Sequence, residues 1–139
     1  MDPTQQTTQT SSDHERIEAT LAEGGTVDIT TRGRKTGQSR RIEIVFFNFG
    51  GRVFISGLPG RRGWYANLLA DPKLTFHLKG RVVGDLPARA IPITDEEARR
   101  ALLARITRQW RREAQLDVFL ANSPLIEVVF DDATLLAAA

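Results

Sequence analysis

The chain has no cysteine, one methionine, one tyrosine, two tryptophans and two histidines among its 139 residues. The lack of cysteine excludes disulfides, thiolate-bound metal and thiol catalysis. It also fits a reducing compartment, so a cytoplasmic location is expected. No apolar run is long enough to span a membrane, so stable membrane anchoring is not expected. The Thr/Gln/Ser-rich start, 1–12, has no apolar centre of the kind a signal peptide needs. It reads as a disordered tail, leaving 13–139 as one domain. Two histidines without cysteines offer no metal constellation and no Ser-His-Asp arrangement. The formal net charge is only +2, too little to imply nucleic-acid binding, and no nucleic-acid partner is expected.

What is present is charge gathered in two places, Arg32 to Arg41 and Arg99 to Arg112. A local positive field suits an anionic ligand. Along the chain, Ser12-Asp13-His14-Glu15 has capping-box spacing, which predicts a short helix from about Asp13 to Glu23, stopped by Gly24 and Gly25. Alternating apolar residues predict strands around Val27–Thr31, Arg41–Phe49, Arg52–Ser56, Lys73–Lys79, Arg81–Ile93 and Leu125–Phe130. Gly50-Gly51 is a hairpin signal, and Gly84 with Pro87 suggests a bulge or bend. Trp64, Leu68 and Leu69 predict a helix ended by Asp71-Pro72. Thr94-Asp95-Glu96-Glu97 opens a longer helix, with Ala98, Leu102, Ile106 and Trp110 on one face, running to about Glu113. The Ala-rich end after Asp132 reads as frayed. Six strands joined mostly by hairpins, with few helices, predict a small antiparallel barrel, mainly β in class (α+β).

The segment Arg32-Gly33-Arg34-Lys35-Thr36-Gly37-Gln38-Ser39-Arg40-Arg41 carries five cations, two glycines and two hydroxyls. Glycines let backbone N–H groups approach an anion, and arginines give forked hydrogen bonds to phosphate or carboxylate. The competing interpretation is an exposed, solvated turn. The spacing is not that of a Walker loop. A second segment, Ser56-Gly57-Leu58-Pro59-Gly60-Arg61-Arg62-Gly63-Trp64-Tyr65-Ala66-Asn67, is a Gly/Pro-rich turn leading into an aromatic-headed helix. Trp64 or Tyr65 could stack on a planar ring and Arg61 or Arg62 meet a phosphate; equally, Trp64 and Leu68 could be core anchors. His77 shares a strand face with Thr75 and Lys79 and reads as a polar-face histidine rather than a proton donor. Arg99 to Arg112 reads as a solvated helix face balanced by Glu96, Glu97 and Glu113.

Taken together, Gly33-Arg34-Lys35-Thr36-Gly37 with Arg40 or Arg41, Gly51-Arg52-Val53, Trp64-Tyr65-Ala66-Asn67-Leu68 and Asp71-Pro72 resemble the deazaflavin-dependent nitroreductase family, which uses coenzyme F420. The resemblance is strong over Thr26 to Lys79. It implies a split β-barrel of six to seven strands with flanking helices. It further implies an oxidoreductase that passes a hydride from reduced F420 to a quinone, a nitro compound or an activated alkene. The Gly33–Arg41 loop (Arg34, Lys35, Thr36, Gly37, Ser39, Arg40, Arg41) would hold the phosphate and acidic tail. Ser56, Gly57, Arg61, Arg62, Trp64 and Asn67 would lie on the ring side. Ser56 and Tyr65 are the candidates for a catalytic role. Leu58 and Gly63 stand where other members often carry lysine and proline, and Phe119, Trp110 and Tyr65 are the aromatic candidates for a substrate pocket. FMN or FAD in the same kind of barrel remains an alternative, as does a non-catalytic module for an anionic ligand. A homodimer is an expectation from the resemblance alone.

Overall fold

The computed structural model describes residues 3–135, with side chains described for 13–135. Helix α1 (Pro3–Glu23) precedes strands β1 (Gly25–Arg32), β2 (Ser39–Phe49) and β3 (Arg52–Ser56). Helix α2 (Gly63–Ala70), β4 (Lys73–Lys79) and β5 (Val83–Pro92) follow. Then come α3 (Glu96–Gln109), a short 3₁₀ turn (Glu113–Gln115), α4 (Leu116–Asn122) and β6 (Leu125–Phe130). All strand pairs are antiparallel, and the order β1-β2-β3-β6-β5-β4 closes into a six-stranded barrel.

The two-residue period of each strand decides what fills the barrel. On β1, Val27, Ile29 and Thr31 are buried, and they register with Ile44, Ile42 and Arg40 on β2. The interior is completed by Phe46, Val53, Ile55, Leu74, Phe76, Ile126, Val128 and Phe130. Phe76 meets Phe46 and Phe130 edge to face, at centroid distances of 5.1 and 5.3 Å, the arrangement the ring quadrupoles favour. The opposite phase of β2 and β3 supplies Phe47 and Phe54, which join Leu103, Ile106, Phe119 and Leu125 in a second core outside the barrel, under α3 and α4. Leu21 of α1 is fully buried in the first core.

Local signals account for most boundaries. Gly50 and Gly51 both have positive φ, +64° and +84°, as a two-residue hairpin turn demands. Asp95 caps α3 by accepting from the Ala98 N–H at 2.9 Å. Several expectations change. Helix α1 runs from Pro3, so the Ser12 box is not its start; proline suits a first helical position, and no breaker lies between it and Gly24. Helix α3 stops at Gln109, where Arg111 adopts φ +56° and the Arg112 N–H bonds back to the Thr107 carbonyl at 2.7 Å, a left-handed helix stop made without glycine. Its buried stripe is Leu103, Ile106 and Thr107, with Leu102 and Trp110 packed at the margin. Helix α4 was not foreseen. Gly84 and Pro87 make no bulge, since the β4–β5 register runs unbroken from Lys73↔Arg89 to Lys79↔Val83. The Pro87 carbonyl accepts from Asp131 N–H on the β6 side. The missing proline donor faces that same side, just before the β5–β6 ladder begins at Ala88, where no ladder bond is lost. Leu135 is buried; the rest of the Ala-rich end lies outside the described residues.

Candidate functional site

The loop between β1 and β2 closes on itself. Gly33 N–H donates to the Gln38 carbonyl and Gly37 N–H to the Gly33 carbonyl, each at 2.8 Å. Gly37 has φ +72°, a conformation side chains resist. A Cβ on Gly33 would lie 3.0 Å from Thr36 Oγ1 and 3.1 Å from the Gln38 carbonyl, so the tight turn also requires glycine there. Thr36 Oγ1 accepts from the Gln38 N–H at 3.2 Å.

Asn67 of α2 ties this loop to the barrel. Its Oδ1 accepts from the Arg34 backbone N–H at 3.1 Å and from Arg34 Nη1 at 2.9 Å, while its Nδ2 donates to Thr31 Oγ1 at 3.2 Å. Asn67 and Thr31 are both buried, so their polar atoms need partners, and each supplies the other. The result is a cavity of about 350 Å³. Arg34, Lys35, Thr36 and Arg40 contribute its polar wall, Trp64 and Ile42 its apolar one. Lys35 and Arg40 form no ion pair among the described residues. Two uncommitted cations, a hydroxyl and an arginine already aimed by Asn67 form a donor set that suits a phosphate. Trp64 is at once a wall of this cavity and a member of the barrel core.

The remaining predicted residues separate. Arg41 is in the opposite strand phase from Arg40. Its Nε donates to Asp28 at 3.0 Å on the outer face, where Lys79 also bonds Asp28 and Glu43. The Lys79 bond, then the Arg41 bond, hold the Asp28 carboxyl below its ordinary range. Ser39 lines a neighbouring cavity. Ser56 is buried and donates to the Pro124 carbonyl at 2.7 Å. Gly57 packs against Pro124. Arg62 folds back onto the Leu58 and Arg61 carbonyls. Arg61 and Tyr65 instead line a third cavity of about 450 Å³ beside α4, with Arg99 and Ser123. Ser123 Oγ is buried there without a hydrogen-bond partner. The site residues not foreseen, Thr31 and Ile42, belong to strand phases that could be read only once the barrel interior was known.

Among the basic residues of α3, Arg99 is a structural clamp. Its guanidinium donates to the carbonyls of Ile93, Phe119, Leu120 and Ser123, closing the C-terminal end of α4. Arg105 lies 4.6 Å from the Phe49 ring centroid, a cation–π contact. His77 accepts or donates to Thr30 Oγ1 at 2.6 Å and Asp85 at 2.7 Å on the outer barrel face. Among the described residues no group of three metal-ligating side chains occurs, and no helix is long and apolar enough to cross a membrane.

A sequence profile for the F420H(2)-dependent quinone reductases matches residues 4–118. The chain belongs to this family. Solved structures share the barrel of this F420H(2)-dependent reductase relative at low identity. A conserved hypothetical protein from Mycobacterium tuberculosis is 15% identical, with 84% of this chain and 79% of that one aligned, at a TM-score of 0.68. A candidate pyridoxamine 5'-phosphate oxidase from Listeria innocua is 12% identical over 86% and 94% of the two chains, at 0.64. An F420 reductase is 14% identical over 80% and 90%, at 0.57. These likenesses concern the fold, that of the split barrels.

Proposed function

We propose that this chain binds reduced F420 and transfers its hydride to a small organic acceptor, a quinone in the first place, with nitro compounds and activated alkenes as further acceptors. The observation that carries the proposal is the cavity in which Asn67 fixes Arg34 beside Lys35, Thr36 and Arg40. The chemistry supplied by the bound coenzyme is hydride transfer from its reduced ring, and the protein supplies binding, orientation and exclusion of water.

Lys35, Arg40 and Thr36 bind the phosphate through charge-assisted hydrogen bonds. Arg34, held at two points by Asn67, needs little further ordering, which lowers the entropic cost of binding. Trp64 offers an apolar face at the border of the anion cavity. Beyond it, the 450 Å³ cavity with Tyr65 at its wall has room for the acceptor, and the Trp64 and Tyr65 rings lie 6.0 Å apart. Membership of the family supports the coenzyme and the reductase chemistry.

The test is a fluorescence titration of the purified protein with F420, FMN and FAD, followed by re-oxidation of reduced F420 in the presence of menadione, a nitroaromatic compound and a cyclic enone. Selective binding of F420 and quinone-dependent re-oxidation are expected. Tight FMN or FAD binding with no F420 binding would overturn the cofactor assignment. Failure to bind any of the three would leave a module for some other anionic ligand.

A further inference from the structure

The cavity of about 450 Å³ beside α4 and the anion cavity at Arg34 have no lining residue in common. The cations of the larger cavity are therefore no part of the donor set around Arg34. Two of its lining residues are arginines, Arg61 and Arg99, and none is an acid. Ile93, Leu120 and Pro124 give it an apolar wall. An apolar wall with a few polar groups is the ordinary build of a small-molecule site; an uncompensated positive charge is not.

The backbone gathers these cations at one place. Gly60 N–H donates to the Asn122 carbonyl at 3.0 Å, which pins the loop carrying Arg61 to the end of α4. Arg99 Nη2 donates to the carbonyl of the next residue, Ser123, at 2.8 Å. Arg61 forms no ion pair among the described residues. Arg99 is half-buried and bonded only to carbonyls. These satisfy its N–H groups but bring no opposite unit charge, which a charge removed from water needs. Ser123 is 5% exposed, and its Oγ has no hydrogen-bond partner. Buried hydroxyls are paired in the great majority of cases, so an unpaired one in a cavity wall points to a ligand atom as its partner.

We propose that this cavity selects hydride acceptors that carry an anionic group, a carboxylate or sulfonate attached to the planar ring that is reduced. The proposal rests on the reading of this cavity as the acceptor's. Arg61 forms the ion pair with that group, Ser123 Oγ donates a hydrogen bond to it, and Arg99 adds a fixed charge of the same sign. A neutral quinone gains only the apolar contact with Ile93, Leu120 and Pro124. The charged groups thus act on the choice between acceptors.

The experiment uses two acceptors with one ring, 2-methyl-1,4-naphthoquinone bearing a propanoate at position 3 and the matching propanamide. The saturated spacer keeps their reduction potentials alike. The ratio of their kcat/KM values with reduced F420, and their binding to protein loaded with oxidised F420 by calorimetry, are measured for wild type and three variants. These are Arg61→Gln, Ser123→Ala and Arg100→Gln, the last making the same change of charge at an exposed position of α3. Wild type is expected to favour the propanoate by about five- to tenfold. Arg61→Gln should bring the ratio close to one. Ser123→Ala should lower it by about two- to threefold without lowering the thermal midpoint. Arg100→Gln should leave it as in wild type, and raised salt should shrink the preference. Equal kcat/KM and equal affinity for the two acceptors in wild type would overturn the selectivity and leave the reductase reading standing. An Arg100→Gln effect as large as that of Arg61→Gln would do the same. Turnover of neither acceptor, with the propanoate still bound through Arg61, would overturn the reductase reading while upholding the anion site.

Discussion

Asn67 offers the sharpest separation between holding the fold together and binding an anion. Replacement by alanine removes three hydrogen bonds, two from Arg34 and one to Thr31. At about 1 kcal/mol each the loss is roughly 3 kcal/mol; the Arg34 guanidinium is exposed and regains water, so its charge adds little beyond that. For a chain of this size, thermal unfolding should shift by roughly 6–12 °C. Replacement by aspartate behaves differently. Its carboxylate still accepts twice from Arg34, and the Thr31 hydroxyl can donate to it, so the midpoint should stay within a few degrees of wild type. A fixed negative charge then faces the ligand phosphate. At about 7 Å and an effective dielectric of about 20, the repulsion is roughly 2 kcal/mol. Cofactor affinity should therefore fall at least about tenfold. Thermal unfolding and a fluorescence titration on the same three proteins decide the matter. An aspartate variant with both wild-type stability and wild-type affinity would show that no anion binds at this cavity. An alanine variant with an unchanged midpoint would show that Asn67 does not hold the loop.

Three further outcomes are expected. Arg40→Ala should weaken cofactor binding about tenfold, whereas Arg41→Ala, on the outer face, should leave it unchanged; equal effects in a titration would contradict the strand phase. Asp28 has its folded pKa depressed by Lys79 and then Arg41, and Lys79 has its own raised by Asp28 and then Glu43. Their contribution is thus present between about pH 4 and pH 10, lost as pH falls through the folded Asp28 value and as it rises through the folded Lys79 value. Denaturant melts of Asp28→Asn should differ from wild type at pH 6 and converge with it below about pH 4, and a difference that persists at acid pH would rule the linkage out. Arg99→Met should cost about 2–4 kcal/mol in the same melts by leaving carbonyls at the end of α4 unpaired, and wild-type stability would return Arg99 to the class of solvated surface cations.

The strands were legible in the sequence because alternation is a local property. Val27, Ile29, Leu74, Phe76 and Phe46 each declare a phase within a few residues, and Gly50-Gly51 declares its own turn. The helix just before β6, α4, was not legible. In α4 only Phe119 is buried, so there is no repeating apolar face to detect over seven residues. The anion loop was legible as chemistry but not as geometry. Arg40 and Arg41 are equal as sequence; only the pairing of Thr31 with Arg40 and Thr30 with Arg41 sends one to the cavity and the other to Asp28. Ser56 and Arg62 were drawn into the candidate site by proximity along the chain, yet their donors are engaged by Pro124, Leu58 and Arg61 carbonyls.

Trp64 shows why the two readings of an aromatic helix start need not compete. Its ring packs with Leu68 and the barrel interior, yet it also forms one wall of the anion cavity. Three residues later, on the adjoining turn of the same helix, Asn67 reaches the loop. Helix α2 is therefore anchored by the core through Trp64 and Leu68, and that anchoring sets the position of the Asn67 amide. The amide in turn sets Arg34. A cavity built from mobile arginines would have to order them at each binding event, at a cost of about 0.5–1.5 kcal/mol per side chain. Here at least one arginine is ordered by a chain of contacts that ends in the hydrophobic core, so the same burial that closes the barrel also prepares the site for its ligand.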